Sequence, residues 1–170
     1  MTVALKEWSI IVDALGKGKQ SILLRKGGIR EEGDEFEAKH KTFLLYPTIY
    51  HEQEKFIKPD WLPFLNGAQY VQNAQQVLIK YYAEVADYRM LESWDVVAKL
   101  NAWHAWKEEV IKERFERWGN RIHLLILQIY ELPSSVKIDV LPQYGGCTSW
   151  IEIQDDIPLN GKPVVNKNII

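Results

Sequence analysis

Cysteine is almost missing from this chain: Cys147 is the only one in 170 residues. That excludes an internal disulfide and a cysteine-based zinc centre, and a reducing compartment follows as the expectation. Also missing is any apolar run approaching the roughly 18–20 residues that a membrane helix needs. The first residues lack a basic stretch followed by an apolar one, so the expected location is cytoplasmic and no membrane partner is expected. Positive charge is not in excess either. Charged residues make up 26% of the chain and the formal net charge is -2, which excludes the basic footprint of a protein that coats nucleic acid non-specifically.

What is present in quantity is amphipathic aromatic surface. Seven Trp and eight Tyr exceed the needs of one core and favour a binding role. The length fits one domain, expected over residues 1–165, with 166–170 as a frayed tail.

Periodicity places most of the strands. Residues 77–91 alternate, with Val77, Ile79, Tyr81, Ala83 and Val85 on one face, as in a long half-exposed strand. Residues 121–131 are almost continuously apolar, as in a central strand covered on both faces. Further strands are expected at 8–15, 20–26, 42–46 (stopped by Pro47) and 150–153, with Gly16-Lys17-Gly18-Lys19 as a hairpin turn. Asp60 is an expected helix N-cap. One long helix is expected over 94–118, with Ser93 at its N-cap, Asp95 in its first turn and Val96, Leu100, Trp103, Val110 and Phe115 as its buried stripe. The fold class is therefore α+β, a mixed curved sheet or small β-barrel crossed by one helix.

The stretch that looks least like packing is Leu23-Leu24-Arg25-Lys26-Gly27-Gly28-Ile29. A buried strand carries Arg25 and Lys26 to its mouth, and the two glycines allow a turn or a close approach to bare amides. A second polar cluster, Thr48, Tyr50, His51 and Glu52, follows the 42–46 strand, and Tyr144 to Trp150 forms a third unusual stretch. The expectation is that the three meet, giving a binding site of Arg25, Lys26, Gly27, Gly28, Thr48, His51, Tyr144 and Trp150. The cations and amides suit phosphate, and the aromatics suit stacking on a base.

Enzymatic alternatives rest on fewer residues. Glu37-Ala38-Lys39 with Asp13 or Asp34 is an acid-x-lysine step of the kind that serves a metal-dependent nuclease or nucleotide hydrolase. Cys147 with His51 is the nucleophilic alternative. The four histidines, His40, His51, His104 and His123, have no ligand spacing on one face, so no metal site and no cofactor is expected. A binding module is favoured over an enzyme, with RNA or another phosphate-bearing ligand as partner and a protein-interaction surface as the further alternative.

Three stretches also resemble the DUF1802 family, uncharacterised proteins found largely in cyanobacteria and other bacteria. They are Ala4-Leu5-Lys6-Glu7-Trp8 with the Leu23 to Ile29 stretch, Phe43-Leu44-Leu45-Tyr46-Pro47-Thr48 with His51, and Tyr144-Gly145-Gly146-Cys147 with Ser149-Trp150. The resemblance implies a grouping and brings no activity with it. A fainter likeness, Gly18-Lys19 ahead of Arg25, is to the PUA-like and ASCH group of RNA-associated barrels, and it implies a pocket at a barrel mouth.

Overall fold

The computed structural model describes residues 1–26 and 38–167. Its framework is a curved, mixed sheet that stays open. The strands are β1 (Thr2–Trp8), β2 (Ile22–Arg25), β3 (Thr42–Thr48), β5 (Gln76–Leu91), β6 (Ile122–Asp139) and β7 (Trp150–Ile153), in the order β2-β6-β5-β3-β1-β7. Two short strands attach to it, β4 (Val71–Asn73) to β5 and β8 (Lys162–Pro163) to β6. Only the β1–β3 pair is parallel among the described strands.

The long alternating and continuous strands appear as expected, paired antiparallel from Gln76↔Asp139 to Leu91↔Ile122. Pro133 does not break β6. It falls where the register slips opposite Lys80, between Tyr81↔Glu131 and Ile79↔Val136, so its missing N–H leaves no rung empty. Pro47 likewise does not end β3, which runs on to Thr48. The β5 ladder leaves β3 at Leu44, and Pro47 sits where β3 pairs with β1 alone.

Residues 8–15 are not a strand. Apart from Trp8, the last residue of β1, they form helix α1 (Ser9–Gly16), and every residue from Ser9 to Leu15 is buried. A short run that is apolar all round carries no period, so strand and helix cannot be told apart from the pattern alone. Burial under the curl of the sheet favours the helix, whose backbone groups are satisfied within the segment. The 16–19 stretch therefore closes a helix. Gly18 adopts φ +70, and the Lys19 N–H returns to the Ala14 carbonyl at 3.0 Å. A Cβ at Gly18 would lie 2.1 Å from the Val165 carbonyl oxygen. The same turn anchors the chain end, because the Lys167 N–H donates to the Gly18 carbonyl at 2.7 Å. The rest of the expected tail, 168–170, lies outside the described residues.

The expected long helix is also divided, into α2 (Trp94–Ala98), a 3₁₀ turn (Asn101–Trp103) and α3 (Glu108–Glu116). Ser93 and Asp95 hold the expected places at its start, but the Ser93 side chain makes no capping bond. The break is a tertiary effect. Trp106 is fully buried and forms an isolated bridge with Ile57, and His104 and Lys107 on either side adopt extended backbone, which ends the helical run. Of the expected stripe, Phe115 is buried, Leu100, Trp103 and Val110 pack half-buried against the core and Val96 is exposed, while Val97 and Ile111 are buried as well. Asp60 caps no helix, since only a 3₁₀ turn at Leu62–Phe64 follows, with Trp61 at its N-cap.

Candidate functional site

The curl of the sheet brings the ends of β1 and β2 together beside α3 and the approach to β7. They enclose a cavity of about 370 Å³ lined by Glu7 and Trp8, Leu24 to Lys26, Tyr50 and Phe56, Val110, Glu113, Arg114 and Arg117, and Cys147 and Ser149. Among the described residues of this lining, four cations face two carboxylates, an excess of two positive charges.

Each cation has a different setting. Arg25 donates to Glu7 Oε2 at 2.9 Å, to the Lys6 carbonyl at 3.2 Å and to Ser149 Oγ at 2.8 Å, so it is held in one orientation. Lys26 donates to the carbonyls of Phe115, Gly119 and Arg121, at 3.3, 2.6 and 2.6 Å, which ties the end of α3 to β2. Burial, then Arg121 and Arg117, lowers the pKa of its ammonium. Arg117 pairs with Glu113 on the same helix face.

Arg114 is the exception. Its guanidinium carbon lies 4.9 Å from the centroid of Trp106 and 5.4 Å from that of Trp8, and among the described residues it has no hydrogen-bond or ion-pair partner. Burial pushes its pKa down to about 10, against the opposing pull of the Glu7 carboxylate. An aromatic ledge completes the site. Trp8 and Tyr50 stack at 4.8 Å with an interplanar angle of 2°, Phe56 meets both rings edge-on, and Tyr50 remains 49% exposed. The arrangement offers a planar cation, a positioned hydroxyl and a π surface around one small volume.

A family model described as a domain of unknown function (DUF1802) matches residues 4–169. The chain belongs to the DUF1802 family. No curated protein matches the sequence. Among solved structures, the crystal structure of ASCH from Zymomonas mobilis is similar at 12% identity and a TM-score of 0.45, covering 74% of this chain and 65% of that one. A single-substitution variant of the same protein is similar at 12% identity and a TM-score of 0.46, covering 74% and 66%. The chain thus spans just under two thirds of the length of these neighbours, which belong to the group of the fainter likeness.

Within this DUF1802 domain, Arg25 and Lys26 line the pocket, while Gly27 and Gly28 lie outside the described residues. Thr48 and Tyr144 line a neighbouring, more apolar groove of about 620 Å³. Thr48 donates from its hydroxyl to the Glu7 carbonyl at 3.2 Å. Tyr144 is buried, with its hydroxyl accepting the Gln154 N–H at 3.0 Å. Lys6 also lines the groove and donates to the carbonyls of Tyr144 and Gly146 at 3.0 and 2.8 Å; burial lowers its pKa. His51 is exposed on the turn after β3 and lines neither cavity; from that exit it is Tyr50 that reaches the pocket. Trp150 packs edge-on against Phe43 and His40, each at 5.0 Å. The third stretch contributes Cys147 and Ser149 to the pocket, and its aromatic residues lie elsewhere.

Asp13, one carboxylate of the nuclease alternative, is fully buried and occupied. It accepts from Tyr70 Oη at 2.7 Å, from Gln69 Nε2 and the Asn66 N–H at 2.8 Å each, and pairs with Lys17 at 2.7 Å. Asp34 and Glu37 lie outside the described residues. Sequence reasoning passed over Glu7, Trp8, Arg114, Arg117 and Ser149 as site residues. For Glu7, Trp8 and Ser149 a signal existed, since they stand in the stretches that carry the family resemblance. Arg114 and Arg117 sit in an ordinary charged helix with no local mark of a site.

Proposed function

We propose that the domain binds RNA or another phosphate-bearing ligand in the pocket between β1, β2 and α3, as a binding module rather than an enzyme. One observation carries this reading: the Arg114 guanidinium lies over two indole rings in a pocket whose described lining has excess positive charge, and no carboxylate or carbonyl among the described residues satisfies it. A planar guanidinium matches the oxygens of a phosphate in a fork of parallel hydrogen bonds. The exposed face of Tyr50, backed by Trp8, supplies a stacking surface for a base, and such stacking contributes about 1–3 kcal/mol per base.

The test is a titration with short labelled RNA and DNA at two salt concentrations, with and without Mg²⁺, scoring retention and cleavage together. Salt-sensitive retention without cleavage is the expected result. Replacing Arg114 by Ala should weaken retention and lower the salt slope by about 0.7, the value for one phosphate contact on a single strand. Cleavage that disappears on changing Glu37 would instead support the hydrolase.

A further inference from the structure

Resting on that reading, we infer that the pocket is built for a phosphomonoester dianion, the terminal phosphate of a nucleotide or of an RNA strand, in preference to the diesters inside a strand. The first argument is charge. Among the described residues, Arg25 is matched by Glu7 and Arg117 by Glu113, and Arg114 and Lys26 have no carboxylate of their own in the lining. An internal phosphodiester brings one negative charge, whereas a phosphomonoester brings about 1.5 to 2 at pH 7. Only the second neutralises the described part of the lining.

The second argument is hydrogen bonding. Ser149 Oγ accepts from Arg25 Nη2 at 2.8 Å, so its own O–H is left to donate, and Ser149 is buried at the pocket wall. Arg114, whose guanidinium lies over the Trp106 ring and lines the pocket, has N–H groups with no partner among the described residues. Together they supply donors for more oxygens than the two that a diester leaves unesterified. The third argument is size. About 370 Å³ lies near the small end of the roughly 300–1,000 Å³ of small-molecule sites, enough for one nucleotide stacked on Tyr50. Proteins that track a continuous single strand use grooves of about 4–16 nucleotides per fold.

The experiment compares a short oligoribonucleotide carrying a 5′-phosphate, the same strand with a 3′-phosphate, and its twin with hydroxyls at both ends, alongside AMP and adenosine. Calorimetry is run at pH 7.5 and pH 5.5. At least one phosphorylated strand should bind tenfold or more tightly than the hydroxyl twin, with the advantage shrinking at pH 5.5 as the second phosphate proton, with its pKa near 6, returns. AMP binding as tightly as the phosphorylated strand would assign the site to free nucleotides, and AMP binding far more weakly would assign it to strand ends; either supports the inference. Arg114→Gln should abolish the preference. Arg114→Lys and Tyr50→Ala, which leave the core intact, should reduce it partially. Equal binding of all three strands would overturn the inference while leaving RNA binding standing, and no binding by any strand or by AMP would overturn both.

Discussion

Arg25 and Glu7 meet at 2.9 Å, although their strands stand far apart in the order β2-β6-β5-β3-β1-β7. The sheet curls until the end of its first strand reaches β1, and the gap is bridged by side chains in place of backbone rungs. Arg25 also holds Ser149, just ahead of β7 at the other end of the sheet. The same contact therefore clasps the fold and shapes the pocket.

Removing one partner of that clasp should be costly. Glu7 is 3% exposed, and Glu7→Ala leaves Arg25 without its carboxylate, for an expected loss of about 3 kcal/mol, the low end for a broken buried pair, since Arg25 keeps Ser149 and the Lys6 carbonyl. The double change Glu7→Leu with Arg25→Met should recover most of that loss. Urea midpoints for the two singles and the double measure the coupling, and independent, additive losses would show that the pair is no clasp.

The Tyr70 hydroxyl is a structural donor. Burial and the Asp13 carboxylate push its pKa far up, so it stays protonated and donates at 2.7 Å. Tyr70→Phe should cost about 2 kcal/mol, as expected for a hydrogen bond to a charged acceptor. Nucleic-acid retention should not change, because neither residue lines the pocket.

His104 makes stability fall in mild acid. It is 1% exposed, and burial, with Lys58 and Arg114 nearby, lowers its pKa to about 3. Its folded pKa is below the unfolded value of about 6.5, so between the two the unfolded chain binds the extra proton. Stability is complete above about pH 6.5 and declines as pH falls toward 3, by up to about 1.4 kcal/mol per pH unit. A His104→Gln variant should show a shallower decline in urea midpoint between pH 7 and pH 4.5.

Gly67 is required for close packing on α1. A Cβ there would lie 2.6 Å from Ser9 Oγ and 2.7 Å from the Ile10 nitrogen. Gly67→Ala should destabilise by about 1–3 kcal/mol, the range of overpacked sites, and thermal denaturation checks it.

Several features were legible in the sequence because they are local. The alternation of 77–91 specifies a half-buried strand, and the apolar 121–131 segment specifies a central one, since strand faces repeat every two residues. Arg25 and Lys26 stood out because cations directly after a buried strand must lie at its mouth. The stretch Ala4 to Trp8 was visible through the family resemblance, although its role as a pocket wall was not.

Tertiary structure decided what local pattern leaves open. Ser9 to Leu15 became a helix because the curled sheet and the Gly67–Tyr70 turn together bury it, and a segment buried all round has no polar face to set a period. The 94–118 segment is not one helix because Trp106, in its middle, is buried and bridged to Ile57, a partner far away in the chain. The pocket joins Glu7, Arg25, Arg114 and Ser149, four residues from distant parts of the chain. Their meeting depends on how far the sheet curls, and that curvature is the sum of packing across the whole core, which no single stretch of sequence contains.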